Sequence, residues 1–342
     1  MKFIGILTAF SLMSGTAHAQ FLSEGTVTQF SAIGDYFGGG ADSRGHIYVL
    51  PNELNPEIAV DIFKGAPEGV YVTVGAERGL LAATLAPNVT HLLQVDLVPE
   101  VVRYNQLNVI LLKVAESLPD LLSLRTAPRS VWLDRSKSDR LNSREKALLA
   151  SEESHKFYLE VEGGARERLV HPDYFKGSSY LKSPELFARA QSLARGNRIQ
   201  VAQGNLTDFP RLKGLAQDLA SRGLKISILD LSNAWEEKYV GPRGVNEILN
   251  SLKTALKPES VVLGTSVSQC IVSHLCFWNF RAYSLRALEA AQKLVAGGFS
   301  LGELFKKKRT PAPNLLHTDV ETVRAFVPIS SSAQIGSCKA AF

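Results

Sequence analysis

Cysteine is scarce in this chain: Cys270, Cys276 and Cys338 are the only three among 342 residues. That excludes a disulfide-dense scaffold. His274, alone between two cysteines, does not make a zinc set, and no metal is expected. In an oxidising compartment two cysteines can pair and leave one over, but the spacing of Cys270 and Cys276 cannot establish a bridge without geometry. The sequence also has no GxSxG elbow, no phosphate-binding GxxxxGK loop and no HExxH zinc motif, which removes the commonest hydrolase, nucleotidase and metalloprotease readings. No later stretch reads as a membrane helix, and charge of one sign does not dominate. The net charge of +5 is mild, and nucleic acid is not an expected partner. The one concentrated basic run, Lys306 to Arg309, leads into a proline-stiffened Thr310-Pro311-Ala312-Pro313 and reads as a solvated loop.

What is present is an ordinary globular composition, 45% hydrophobic and 21% charged, enough for a sizeable core. At the N-terminus, Lys2, an apolar stretch from Phe3 to Met13 and the small-residue pattern Ala17-His18-Ala19 stand in the order of a secretory signal peptide. The expectation is cleavage before Gln20 and a periplasmic or secreted product. Three segments follow from this: a signal peptide over 1–19, a Gly- and Ser-rich arm over 20–45, and a main domain over 46–342.

Within the main domain, strand-like and helix-like patterns alternate. GVYVTVG (69–75) and HLLQVDL (91–97) read as strands, and Pro99 opens a helix. RIQVA (198–202), LKISILDL (224–231) and a run over 260–267 read as further strands, with helices over 210–222, about 245–256 and 283–295. A last strand is expected over 322–329. The stretch from 118 to 197 breaks the alternation and reads as a helical or irregular insertion. Such alternation implies right-handed crossovers and a doubly wound, mainly parallel α/β sheet covered on both faces.

In such sheets ligands sit at the carboxyl ends of the strands. The first strand-to-helix loop is Gly75-Ala76-Glu77-Arg78-Gly79, and Asp96 ends the second strand, 21 positions after Gly75. An acidic residue at that distance suits ribose hydroxyls. Gly204, Asn205 and Asp208 follow the third core strand, and Asp230, Ser232, Asn233 and Trp235 follow the fourth. Each also has a purely structural role open to it: glycines shape turns, Asp and Asn cap helices, and a tryptophan packs. His171-Pro172-Asp173, in the insertion, reads as a surface or packing group.

The succession VYVTVGAERGLLAATLA, HLLQVDLVPEVVRYNQLN, FARAQSLARGNRIQVAQGNL and GLKISILDLSNAWE resembles an uncharacterised bacterial family with a class I S-adenosylmethionine (SAM) methyltransferase-like fold. The resemblance runs from about Tyr36 to Val267. It implies a seven-stranded sheet of Rossmann-like methyltransferase type and a cofactor-like pocket around Gly75, Asp96 and Asn205, with SAM as the cofactor. Glu77, Gly79 and Asn233 complete the candidate binding set, and no catalytic residue is assigned.

Two departures bear on chemistry. Methyltransferases usually carry an acidic residue two positions before the first loop glycine, and a glycine at the loop's centre. Here those positions hold Thr73 and Glu77. Thr73 cannot ion-pair with a methionine ammonium, whereas Glu77 either does so from another place or blocks the pocket. Export also separates a protein from cytosolic SAM. The reading is therefore a methyltransferase-like fold that binds a small nucleoside-like ligand without methyl transfer. The alternatives are an active methyltransferase and a non-catalytic envelope interaction protein.

Overall fold

The computed structural model describes residues 21–22, 59–169, 178–236, 240–272 and 275–294. The signal peptide, most of the predicted arm, the His171-Pro172-Asp173 triplet, the basic run, the last predicted strand and Cys338 lie outside them. A short helix, α1 (Val60–Lys64), precedes the first strand, β1 (Gly69–Val74). Then come α2 (Glu77–Leu85), β2 (Val89–Asp96) and α3 (Pro99–Val114). The insertion is helical: α4 (Leu118–Leu124), α5 (Arg129–Arg135), α6 (Ser143–Ala150) and α7 (Glu152–Leu169), with α8 (Pro184–Arg195) leading back to the sheet. The chain resumes with β3 (Ile199–Gln203), α9 (Phe209–Ser221), β4 (Ile226–Asp230) and α10 (Gly241–Leu252). It continues through β5 (Leu256–Val272), β6 (Leu275–Ser284) and α11 (Leu285–Leu294).

The six strands form one sheet in the order β3-β2-β1-β4-β5-β6. All pairs are parallel except β5 with β6. The order runs outward from β1 through β2 to β3, then returns to β4 on the other side, so the topological switch lies between β1 and β4. Both faces are covered. Val70 and Val72 pack into one hydrophobic cluster with residues of α9 and α10, whereas Tyr71 packs into the other with residues of α2, α3 and α8. That period-two division of one strand between two cores is what a doubly wound sheet requires.

Local signals explain most boundaries. Pro99 opens α3 and Pro184 opens α8, positions where the missing N–H costs nothing. Ser183 accepts from the Leu186 amide at 3.3 Å, capping α8. Asn142 and Glu145 form a reciprocal capping box on α6. Twelve of the sixteen residues of α3 are buried, because the helix lies between the sheet and the inserted helices rather than at the surface.

The seven-stranded count is not reproduced: six strands are found among the described residues. One of the six, β6, falls where the sequence pattern gave no strand, and the helix expected from Tyr283 begins at Leu285. β5 is also longer than expected. Its pairing with β4 ends at Asp230↔Leu263, but its pairing with β6 continues to Val272↔Leu275. The two strands thus run on as a two-stranded arm beyond the carboxyl end of β4. From the other end of the chain, Phe21 and Leu22 are buried in the cluster that holds Val70 and Val72. The Leu22 amide donates to Gln200 Oε1 at 3.2 Å, and Phe21 lies against the His91 ring.

Candidate functional site at the strand carboxyl ends

Parallel register gathers the predicted residues along one edge. Val74 stands opposite Val95, Thr73 opposite Asp230, and Asp96 opposite Gln203. Loops leaving β1, β2, β3 and β4 therefore start at one level. Gly75 has φ +85°, a left-handed conformation that favours glycine, and nothing lies within 4 Å of the place a Cβ would occupy. Gly79 differs: a Cβ there would stand 2.4 Å from Thr73 Cγ2, so this glycine lets α2 lie close on β1.

The loop backbone is pinned by three side chains. Asp96 Oδ2 accepts from the Gly75 amide at 3.0 Å, and Asp96 Oδ1 accepts from the Val98 amide at 2.9 Å. Asn105 Nδ2 donates to the Gly75 carbonyl at 2.9 Å, and Gln94 Nε2 to the Ala76 carbonyl at 3.1 Å. Burial pushes the Asp96 carboxyl up to about 6, against these amides, which pull it down. A carboxylate offers about four acceptor positions, so the two bonds named leave Asp96 capacity for more.

Glu77 and Arg78 point into separate buried networks. Glu77 is fully buried, and its Oε1 accepts from Arg125 Nη1 at 3.2 Å and from the Tyr180 hydroxyl. Its Oε2 accepts from Asn108 Nδ2 at 2.8 Å. Arg125 reaches on to Glu162 through Nε at 2.8 Å and Nη2 at 2.9 Å. Arg125 Nη2 also donates to the Tyr104 hydroxyl, which itself donates to Glu162 Oε2, both at 3.0 Å. Burial works against the Arg125 cation, but Glu77, the tyrosines and Glu162 outweigh it and hold the guanidinium above its ordinary range. Burial likewise raises Tyr104, Tyr158 and Tyr180, keeping their hydroxyls as neutral donors.

At the switch point, Arg78 Nη2 meets Asp230 Oδ1 at 3.0 Å, and the Tyr71 hydroxyl donates to Asp230 Oδ2 at 2.7 Å. The Ser232 amide also donates to Asp230 Oδ1, at 2.8 Å, with Ser232 itself at φ +48°. Trp235 is 4% exposed and donates to the Thr265 carbonyl at 2.7 Å, so its ring packs in the core. Asn233 is half-buried beside it. Asn205 is half-buried after β3, its Oδ1 accepting from the Thr207 amide at 2.9 Å and hydroxyl at 2.8 Å. Gly204 donates to the Asp96 carbonyl at 2.9 Å, which ties this loop to the end of β2. Asp208 caps α9, accepting from the Arg211 amide at 3.3 Å.

The structure thus joins Gly75 to Asp96 by a direct bond and sets Asn205 and Asn233 on the loops to either side. It places Glu77 with partners that sequence reasoning did not single out: Arg125, Glu162 and Tyr180. All three come from the insertion, and the two that touch Glu77 lie 48 and 103 positions from it, where no spacing motif operates. A local signal was the Tyr104 and Asn108 pair, four apart and so on one face of α3. A cleft of about 160 Å³ opens elsewhere, lined by Val109, Lys113, Glu145, Asn197 and Ile199 among others, toward the start of β3. Lys113 there is bonded to Glu145 at 2.6 Å and Asn197 at 2.7 Å. Among the described residues no group of three or more His, Cys, Asp or Glu side chains is arranged to hold a metal ion, and no helix is long and apolar enough to cross a membrane.

Residues 48–298 match the family described as Domain of unknown function (DUF7790). No curated protein matches the chain. Among solved structures, it is similar to the rRNA methyltransferase AviRa from Streptomyces viridochromogenes. One structure of that protein has a TM-score of 0.32 and 16% identity, covering 72% of this chain and 84% of its own. A second has a TM-score of 0.32 and 18% identity, covering 66% and 79%.

Proposed function

Because the chain belongs to the DUF7790 family, whose description names no activity, we propose from its own residues that it is an exported protein that binds a small nucleoside-like ligand at the carboxyl ends of β1 to β4 without transferring a methyl group. The ligand end of the proposal rests on the Gly75 loop. It has open space beside a left-handed glycine, no side-chain cap on the first turn of α2, and an Asp96 carboxylate with acceptor capacity at its flank. Backbone amides at a helix start and a nearby carboxylate are complementary to the phosphate-like or hydroxyl-rich parts of a nucleoside ligand.

The observation that carries the second half is the sequestration of Glu77. Its carboxylate oxygens are taken by Arg125, Tyr180 and Asn108, and breaking a buried charge network costs several kcal/mol, about 3–5. Thr73 brings no charge, and its hydroxyl donates to the Val74 carbonyl at 3.1 Å. This loop therefore offers a methionine ammonium no carboxylate, which argues for a repurposed pocket over a SAM site.

Calorimetric or thermal-shift titration with SAM, its demethylated product and simple nucleosides tests the proposal, since a ligand that binds the native state raises its melting temperature. A shift with a nucleoside that Asp96→Ala abolishes, in a variant that still folds, supports it. A shift with SAM at micromolar concentration, or methyl transfer to any acceptor, overturns the non-methylating half. No shift with any of these ligands at millimolar concentration overturns the pocket itself.

A further inference from the structure

The loop after β4 still holds β5 at Thr265, whose amide donates to the Ser232 carbonyl at 2.7 Å and whose carbonyl accepts from Trp235 Nε1; past Thr265, no third strand among the described residues pairs with β5 or β6. A two-stranded ribbon without further support is marginal in water, because it gains few contacts for the backbone entropy it loses. Near the end of this arm the register sets Cys270 directly opposite Cys276. Directly opposed residues of an antiparallel pair share a face. Their Cα atoms stand about 4.5 or 5.5 Å apart according to the pair type, and both values fall within the span a disulfide bridges, about 4.4–6.8 Å. Spacing in sequence alone could not supply that placement; register does.

From this juxtaposition we propose that Cys270 and Cys276 form a cross-strand disulfide that staples the end of the β5–β6 arm. The chemistry is thiol–disulfide exchange with a disulfide-bonded oxidant, such as oxidised glutathione or the active-site disulfide of a thiol oxidase. One cysteine thiolate attacks a sulfur of the oxidant, expelling a thiolate and forming a mixed disulfide. The second cysteine thiolate then attacks the first cysteine's sulfur and expels the other half of the oxidant. Two cysteine thiols lose two protons and two electrons, the oxidant leaves as two thiols, and Cys338 remains as the odd thiol. The proposal rests on the register of the arm and not on the ligand of the strand-end site.

The test is a thiol count on the full chain. After incubation with oxidised glutathione and removal of the excess, the protein is unfolded, alkylated with a maleimide and mapped by peptide mass spectrometry. The expected result is the loss of two of the three alkylatable thiols, a linked peptide joining Cys270 to Cys276, and an alkylated Cys338. Cys338→Ser should still lose both remaining thiols, whereas Cys276→Ser should form no intramolecular bridge. Three alkylated thiols after oxidation, or a bridge that includes Cys338, overturn the proposal. Hydrogen exchange on Cys338→Ser gives a second reading: amides of residues 266–272 should slow on oxidation and return on reduction, and no change between the two states also overturns it.

Discussion

Arg125 is the cation that two buried carboxylates, Glu77 and Glu162, share. Replacing it with methionine keeps much of the volume and leaves both acids without a charge partner. The expected loss is about 3–5 kcal/mol in urea unfolding, while Arg103→Met, at the exposed pair with Glu153, should leave the midpoint nearly where it was. Asp96 gives a pH signature of unusual sign. Its carboxyl is raised from 3.8 to about 6 by burial, with the amides of Val98 and Gly75 opposing. Between those values the folded chain keeps a proton that the unfolded chain has released, so this group's contribution to stability is present at low pH and lost as pH rises through the window. Asp96→Asn removes that titration. Thermal melts should therefore show the difference, wild type minus variant, falling as pH rises from about 4 to about 6.5; a flat or rising difference refutes it. Gly75 and Asp96 were legible in the sequence because a glycine turn and a strand-end acid have a fixed offset. Glu77 was legible as a departure but not in its consequence, since its partners lie in segments that carry no periodic relation to it.

At the scale of elements, caps decide between structure and ligand for several residues. Asp208 opens α9 and is also held by Arg211, 2.9 Å from its Nε. Asp208→Ala is expected to cost about 0.5–2 kcal/mol by denaturant titration in the absence of any ligand; a variant as stable as the parent would take Asp208 out of the capping role. The parallel strands were readable because a strand buried on both faces is a short apolar run between breakers. β6 was not. The two residues between β5 and β6 in sequence, Ser273 and His274, include none of the Gly, Asn or Pro that marks most tight hairpins, and the helical pattern of α11 begins immediately at the end of β6. The helices of the insertion were expected only in outline, and their buried face, which meets α3 and the Glu77 network, had no sequence signature.

For the whole molecule, the sheet order and the two cores on its faces follow from alternation and handedness, which is why the fold class was the most readable feature. Contacts between distant segments were the least readable, and Leu22 is the clearest case. It is 1% exposed, so Leu22→Ala should cost about 2–5 kcal/mol in a denaturation experiment on the full chain; a loss under about 0.5 kcal/mol, typical of surface positions, would mean that the segment does not dock in solution. Its amide meets Gln200 across 178 positions. That bond cannot form until β3 has been made, 178 positions later. Closing a loop of that length is slow relative to local helix formation. The contact ties the segment at Phe21 and Leu22 to a strand in the second half of the sequence, so this part of the core is assembled across the chain and not from neighbours.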